Sequence, residues 1–237
     1  MQILRYFPFI IVLFFFSSST SAQRNGRNYP HFEYRNFHFG AMLGTNTTTY
    51  SYEINEAGLL NDSIEHIALN RMPGLGIHVP VLSWNPHPVF NVRFVPSISF
   101  HETEFKYTYI SNGVLKQKVT RTQPTLLNFP LLLKLNTRRM NNFSAYATTG
   151  LSYSLDLASQ EDVDQRLGDP IIKLKKHDFA YQVGGGFDFY LPYFKFGIDI
   201  KITNGINNLL IQDNTFFSTP LSSLRSQCWW FSLTFEG

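Results

Sequence analysis

The decapeptide Phe194-Lys195-Phe196-Gly197-Ile198-Asp199-Ile200-Lys201-Ile202-Thr203 alternates without a break: every even position is apolar and every odd one is charged, small or polar. Side chains of a strand point alternately to its two faces, so a period of two sets one apolar face against one polar face. The pattern recurs along the chain. In Asn142–Leu157, Phe143, Ala145, Ala147, Leu151, Tyr153 and Leu155 oppose Ser144, Thr148, Gly150, Ser152 and Ser154. In Phe179–Tyr190, Phe179, Tyr181, Val183, Phe187 and Phe189 oppose Ala180, Gln182, Gly184, Gly186 and Asp188. Val89–Phe100 sets Phe90, Val92, Phe94, Ile98 and Phe100 against Asn91, Arg93, Ser97 and Ser99. Trp229, Phe231, Leu233 and Phe235 alternate with Trp230, Ser232, Thr234 and Glu236. Phe37–Thr47, Leu75–Leu82 and Thr120–Leu135 complete a set of eight strands. The last carries Pro124 and Pro130, each of which removes a ladder donor.

Composition points the same way. The 237 residues are 43% hydrophobic and 16% aromatic, with 23 Phe and 12 Tyr, and 15 Gly and 12 Pro punctuate them. Aromatic residues favour strands and turn residues cut the chain into short segments, which argues against a helical bundle. This much apolar surface can form a core, which excludes disorder. All-β barrels run to about 250 residues as one unit, so a single domain is expected. A formal charge of +3 with no concentrated Lys/Arg cluster leaves no nucleic-acid footprint. Cys228, the single cysteine, excludes an internal disulfide and a multi-cysteine metal site.

Arg5, the apolar run 7–16 and the small residues 17–22 read as a secretory signal peptide over residues 1–22, cut before Gln23. A retained transmembrane anchor is the alternative, but the run falls short of the about 20 apolar residues a spanning helix needs. Residues 23–36 then form a periplasmic N-terminal segment, and residues 37–237 the barrel.

The connections between the eight strands alternate in length. Thr48–Met72, the hairpin around Asn112-Gly113, Ser159–Asp169 and Asn204–Ser226 are the long ones. The turns Trp84–Pro88, Thr137–Asn141 and Leu191-Pro192-Tyr193 are short. Short periplasmic turns, longer outer loops and an even strand number define an up-and-down antiparallel transmembrane β-barrel of the outer membrane. A soluble lipocalin-like barrel, with the Phe-rich face turned inward around a ligand, is the alternative. Two features oppose it. The polar faces are rich in Gly, Ser and Thr, which suits a narrow lumen better than a solvated surface. Aromatic residues also sit at both strand ends, with Trp84, Tyr190 and Tyr193 at the short turns and Tyr107, Tyr109, Trp229 and Trp230 at the other end. Such girdles mark the two lipid interfaces.

Catalytic signals are weak. Gly184-Gly185-Gly186 lacks the Lys-Ser/Thr of a phosphate loop and reads as small residues that let a tight barrel curve. His38 and His78 fall on the inward face of neighbouring strands; their meeting as a metal pair is the sharper reading, and hydrogen-bonded core histidines the ordinary one. No catalytic, cofactor or metal residue is assigned. Lys173, Lys175 and Lys176, beside Glu161, Asp162 and Asp164, read as a solvated outer loop, with lipopolysaccharide contact as the sharper reading.

The inward charges say more. Arg93, Lys134, Lys195 and Lys201 share the lumen face with Asp188, Asp199 and Glu236. A narrow lumen can hold such groups only paired or hydrated. An eight-stranded barrel is just wide enough for its own side chains. A plugged barrel is therefore expected, with no small-molecule substrate and no pore. Trp84, Tyr190 and Tyr193 are the expected periplasmic interface, held rigid by that charge network.

Gly184–Phe196, reading Gly-Gly-Gly-Phe-Asp-Phe-Tyr-Leu-Pro-Tyr-Phe-Lys-Phe, continues into Asn204-Gly205-Ile206-Asn207-Asn208-Leu209-Leu210 and resembles the PorT (SprT) family of Bacteroidetes outer-membrane proteins. Asn128-Phe129-Pro130-Leu131-Leu132-Leu133-Lys134 resembles that family's fourth-strand segment. The resemblance implies a non-enzymatic component of type IX secretion and coupled gliding motility, with outer-membrane lipid and other secretion components as partners and no cofactor. One departure is that Glu236 and Gly237 follow Phe235, where many outer-membrane barrels end on an aromatic residue. A barrel that binds lipid or carries an enzyme at its rim is the alternative; Ser63, Glu65 and His66 on the first long loop are the residues it would draw on.

Overall fold

A computed structural model describes residues 26–30, 32–55, 64–161, 172–213 and 215–237. The signal peptide expected over residues 1–22 lies outside them, as do Ser63, Asp162 and Asp164. A short 3-10 turn, Phe32–Tyr34, precedes eleven strands. These are β1 Phe37–Ile54, β2 Ile64–His87, β3 Phe90–Phe94, β4 Ser97–Phe100, β5 Thr103–Ser111, β6 Val114–Thr122, β7 Thr125–Asn136, β8 Phe143–Asp156, β9 His177–Tyr190, β10 Lys195–Gly205 and β11 Leu221–Glu236.

Eleven strands make eight staves. Phe94 faces Leu131, Ser97 faces Asn128, Thr103 faces Thr122 and Ser111 faces Val114, so one register runs from β3 through β4 to β5 and back along β6 and β7. The long hairpin is interrupted only where Pro96 and Pro124 cannot donate. Pro130 stays within β7 opposite Ser152, and its carbonyl accepts the Val95 N–H. Asn112 and Gly113 at the hairpin tip both take positive φ, 53° and 74°, the pair that matches a two-residue turn to strand twist. Every stave pairs antiparallel with its neighbours, and β1 closes the ring by pairing with both β2 and β11. Closure satisfies backbone donors and acceptors from within, as a lipid environment requires.

The wall has the two faces expected. Phe37, Phe39, Leu43, Leu75, Ile77, Leu131, Leu151, Phe187, Ile200 and Phe231 are exposed on the outside. Ser83, Arg93, Ser97, Asn128, Lys134, Ser144, Ser152, Asp188, Asp199, Lys201 and Ser232 are buried on the inside. The soluble alternative, which needs the apolar face inside, is excluded by this orientation.

At one end the turns are short. At the other, β2 reaches its full length, whereas about 9–11 residues suffice to span a bilayer. Its far half carries β5 and β6 outward as a three-stranded hood. Beneath the hood lies an apolar core that includes Tyr50, Ile67, Phe105, Tyr107, Leu174, Leu210, Phe217 and Leu224. Tyr107 is therefore buried and not part of a lipid-facing girdle. Trp230 is likewise inside, where its even position on β11 puts it, so only Trp229 of that pair faces outward.

Candidate functional site

The seven charges expected to face inward are all buried, as are Asp156 and Asp178 nearer the outer end, and five of the seven form one layer near the short-turn end. Glu236 on β11 is the hub. Its Oε1 accepts from the Arg93 guanidinium and its Oε2 lies 2.5 Å from Lys195 Nζ. Lys195 also reaches Asp188 Oδ2 at 3.5 Å, and Lys134 donates to the same oxygen at 2.6 Å. Three cations thus share two carboxylates. The imbalance is eased by an aromatic face, since Lys134 Nζ stands 3.6 Å from the Tyr146 ring centroid. Tyr146 in turn donates its hydroxyl to Asp199 Oδ2 at 2.9 Å, and Asp199 lies 3.5 Å from Lys201 Nζ. One phenol therefore joins the lower layer to the separate Asp199–Lys201 pair.

Tyr146 was not singled out in the sequence, although its position between outward Ala145 and Ala147 fixes it inward. Room for it comes from the glycine run. A Cβ on Gly186 would come within 2.6 Å of the Tyr146 hydroxyl and 2.0 Å of the Ile198 carbonyl. At the rim, a Cβ on Gly40 would stand 2.8 Å from Glu236 Cγ.

His38 and His78 are both inward, but they do not meet. His38 is in register with Ser83, whereas His78 is in register with Met42, four residues further along β1 (42 − 38). His38 stacks on Phe32 with centroids 3.8 Å apart, and His78 lies edge-on to Trp230. The two rings therefore do not form a metal pair. No group of three or more potential metal ligands occurs among the described residues. Above Lys201, the lumen narrows to a void of about 40 Å³ among His78, His101, Asn128, Asp178, Gln182 and Trp230, too small for a metabolite.

The N-terminal segment closes the short-turn end. Phe32, 2% exposed, sits in the mouth with Lys195 Nζ 4.7 Å from its ring and Tyr190 edge-on beside it. Arg139, in the turn after β7, clasps the segment by donating to the carbonyls of Asn28 and Tyr29. Asn28 completes the clasp through Asn142 Oδ1 and the Tyr190 carbonyl.

This seal corrects the expected interface. Tyr190 is 5% exposed, covered by Phe32 and by Arg139, whose guanidinium carbon is 3.7 Å from its ring. It cannot present an aromatic face to a partner. Tyr193, 87% exposed, stands at the tip of the turn between β9 and β10. Trp84, 48% exposed, lies on the outer wall beside Phe37. β1, β11 and β10 separate the stave of Trp84 from that of β9, so these residues do not make one patch.

A closed eight-stave ring with an apolar wall and a charged, filled interior is an integral membrane β-barrel. The chain belongs to the outer membrane protein beta-barrel domain family, which matches residues 18–210, and the protein lies in the outer membrane. The crystal structure of OprG from Pseudomonas aeruginosa is similar in fold, with a TM-score of 0.51 at 15% identity over 84% of this chain and 93% of that one. Ail of Yersinia pestis, in complex with the heparin analogue sucrose octasulfate, aligns with a TM-score of 0.38 at 10% identity over 86% of this chain and 100% of that one. No curated protein matches the sequence. With the outer membrane as reference, the short turns and the Phe32 seal are periplasmic, and the hood faces outward.

Proposed function

We propose that the protein is a non-enzymatic component of type IX secretion and the gliding motility coupled to it, and that it acts through protein contacts made by its ends. The observation that carries the contact reading is the filled lumen. The charge layer, Phe32 below it and the apolar core under the hood leave the described surfaces as the places where the protein acts. The secretion role itself rests on the resemblance of Gly184–Leu210 and Asn128–Lys134 to the PorT family. Exposed aromatics on a rigid scaffold are good interface anchors, and Tyr193 is the periplasmic residue that best fits that role, with Trp84 as a separate contact on the wall.

The test is a deletion strain complemented with plasmid-borne variants, scored by release of type IX cargo to the medium. Cargo release should be lost on deletion and restored by the wild-type chain. Tyr193→Ala and Trp84→Ala should restore it less well while reaching the outer membrane at normal levels. Undiminished secretion in the deletion strain would overturn the role. Full restoration by both variants would move the contact to the outer hood.

A further inference from the structure

The outward series on β9 runs Val183, Tyr181, Phe179, His177 towards the outer surface. Lys175 extends it by one more step beyond the strand. It is held there by backbone bonds, because its N–H donates to the Leu209 carbonyl at 2.8 Å and Leu174 bridges to Leu210. The chain thus passes from aliphatic to aromatic to imidazole to ammonium along one line of the lipid-facing wall. The aromatic step is a built patch. Tyr153 stacks on His177 and on Phe129, with centroids at 6.0 and 6.3 Å, and packs against Phe179 at 5.0 Å. Its hydroxyl lies 2.6 Å from His177 Nδ1. Aromatic side chains with a polar tip sit at the headgroup level, so this patch marks the outer interface. Lys175, in line with the outward series, and Lys176, of the opposite parity, are both exposed above it.

We infer that Lys175, Lys176 and His177, on the Phe129–Tyr153–Phe179 patch, bind the phosphate of lipid A in the outer leaflet. The inference is independent of the secretion role and rests only on the outer-membrane location. Charge complementarity and continuity with the lipid-facing wall carry it: acyl chains run along Val183, Tyr181 and Phe179, and the sugar phosphates meet the two ammonium groups. Among the described residues neither ammonium is engaged in an ion pair, whereas Lys173, on the same segment, is 3.8 Å from Asp213. Two carboxylates are near. Asp156, whose N–H donates to the Lys176 carbonyl at 2.8 Å, lies within electrostatic reach of Lys176, and its Oδ1 accepts the Thr125 and Ala158 N–H. Glu161 Oε2 accepts the Lys176 backbone N–H at 2.9 Å, which turns that oxygen towards the main chain. Polybasic groups at a membrane surface gain from each anionic headgroup they meet.

The test uses the full-length protein purified in detergent, with native mass spectrometry counting bound lipid. The probes are bisphosphorylated lipid A, dephosphorylated lipid A and phosphatidylethanolamine. The wild type should retain bisphosphorylated lipid A over the other two. Lys175→Glu/Lys176→Glu should weaken that retention roughly tenfold or more. Both side chains are exposed, so the variant should keep the heat-resistant gel mobility of a closed barrel. Lys116→Glu/Lys118→Glu on the hood should leave retention unchanged. Inorganic phosphate should not compete, because it lacks the chains that lie on the aromatic patch. Equal retention of dephosphorylated lipid A, an unaffected Lys175/Lys176 variant, an equal loss in the hood variant, or full competition by inorganic phosphate would each overturn the inference.

Discussion

Glu236 neutralises two cations contributed by different staves, Arg93 and Lys195, from a position 2% exposed. Its loss strands Arg93 and leaves Lys195 with Asp188 alone, in a lumen where both are buried. Removing one partner of a buried pair costs about 3–5 kcal/mol, whereas replacing both partners by apolar groups of similar volume is often close to neutral. Glu236→Ala should therefore lower the midpoint of urea unfolding in lipid vesicles by an amount in that range. Arg93→Met/Glu236→Leu should fall well short of the single change, since Lys195 keeps Asp188. The sequence made these charges legible because strict alternation in β3, β9 and β10 fixed which face each occupied. Tyr190 shows the same rule from the other side. Residue type alone places it in a girdle, but its even position on β9 puts it inside with Asp188. Phe32 and Arg139 had no periodic signal at all. They lie in non-repeating segments, and Arg139 meets Asn28 across a separation of 111 residues, which local patterning does not record.

At the scale of the element, β9 is shaped by what its neighbours insert. Gly184 and Gly186 face inward where Lys201 and Tyr146 cross the lumen, so the small residues give side chains room as well as letting the wall curve. Overpacking a filled interior typically costs about 1–3 kcal/mol. Gly186→Val should cost that much or more, because its Cβ meets a strand carbonyl as well as the Tyr146 ring. Gly186→Val/Tyr146→Phe should recover little, since the carbonyl contact remains. Unfolding of both variants in the same vesicles checks this. Strand number and hairpin positions were readable from periodicity and from the Asn112-Gly113 turn. Strand lengths were not. β2 was expected over Leu75–Leu82 and extends over Ile64–His87, because the far half of β2 pairs with a hairpin beyond the membrane and answers to a different apolar core. Register was not readable either, which is why His38 and His78 shared a face in the sequence but not a level in the barrel. On the free edge of the hood, β6 places Lys116, Lys118 and Arg121, a charge pattern that keeps exposed edges from pairing with other chains.

As a whole, the molecule is closed three times along its axis: by Phe32, by the charge layer and by the apolar core of the hood. Eight staves leave an interior that side chains fill. Purified protein in planar bilayers should show no stable channel, and deletion of residues 26–36 should not create one, because the charge layer lies behind the Phe32 seal. Sustained nanosiemens openings from the intact protein would contradict the filled lumen. The position of Glu236 has a further consequence for assembly in time. Arg93 comes from the third stave and Lys195 from the seventh, but their shared carboxylate arrives only with the eighth. Until β11 docks on β1, Arg93 has no carboxylate partner among the described residues and Lys195 has only Asp188. Ring closure and completion of the charge layer are therefore one event, and a chain that lacks its last strand lacks both.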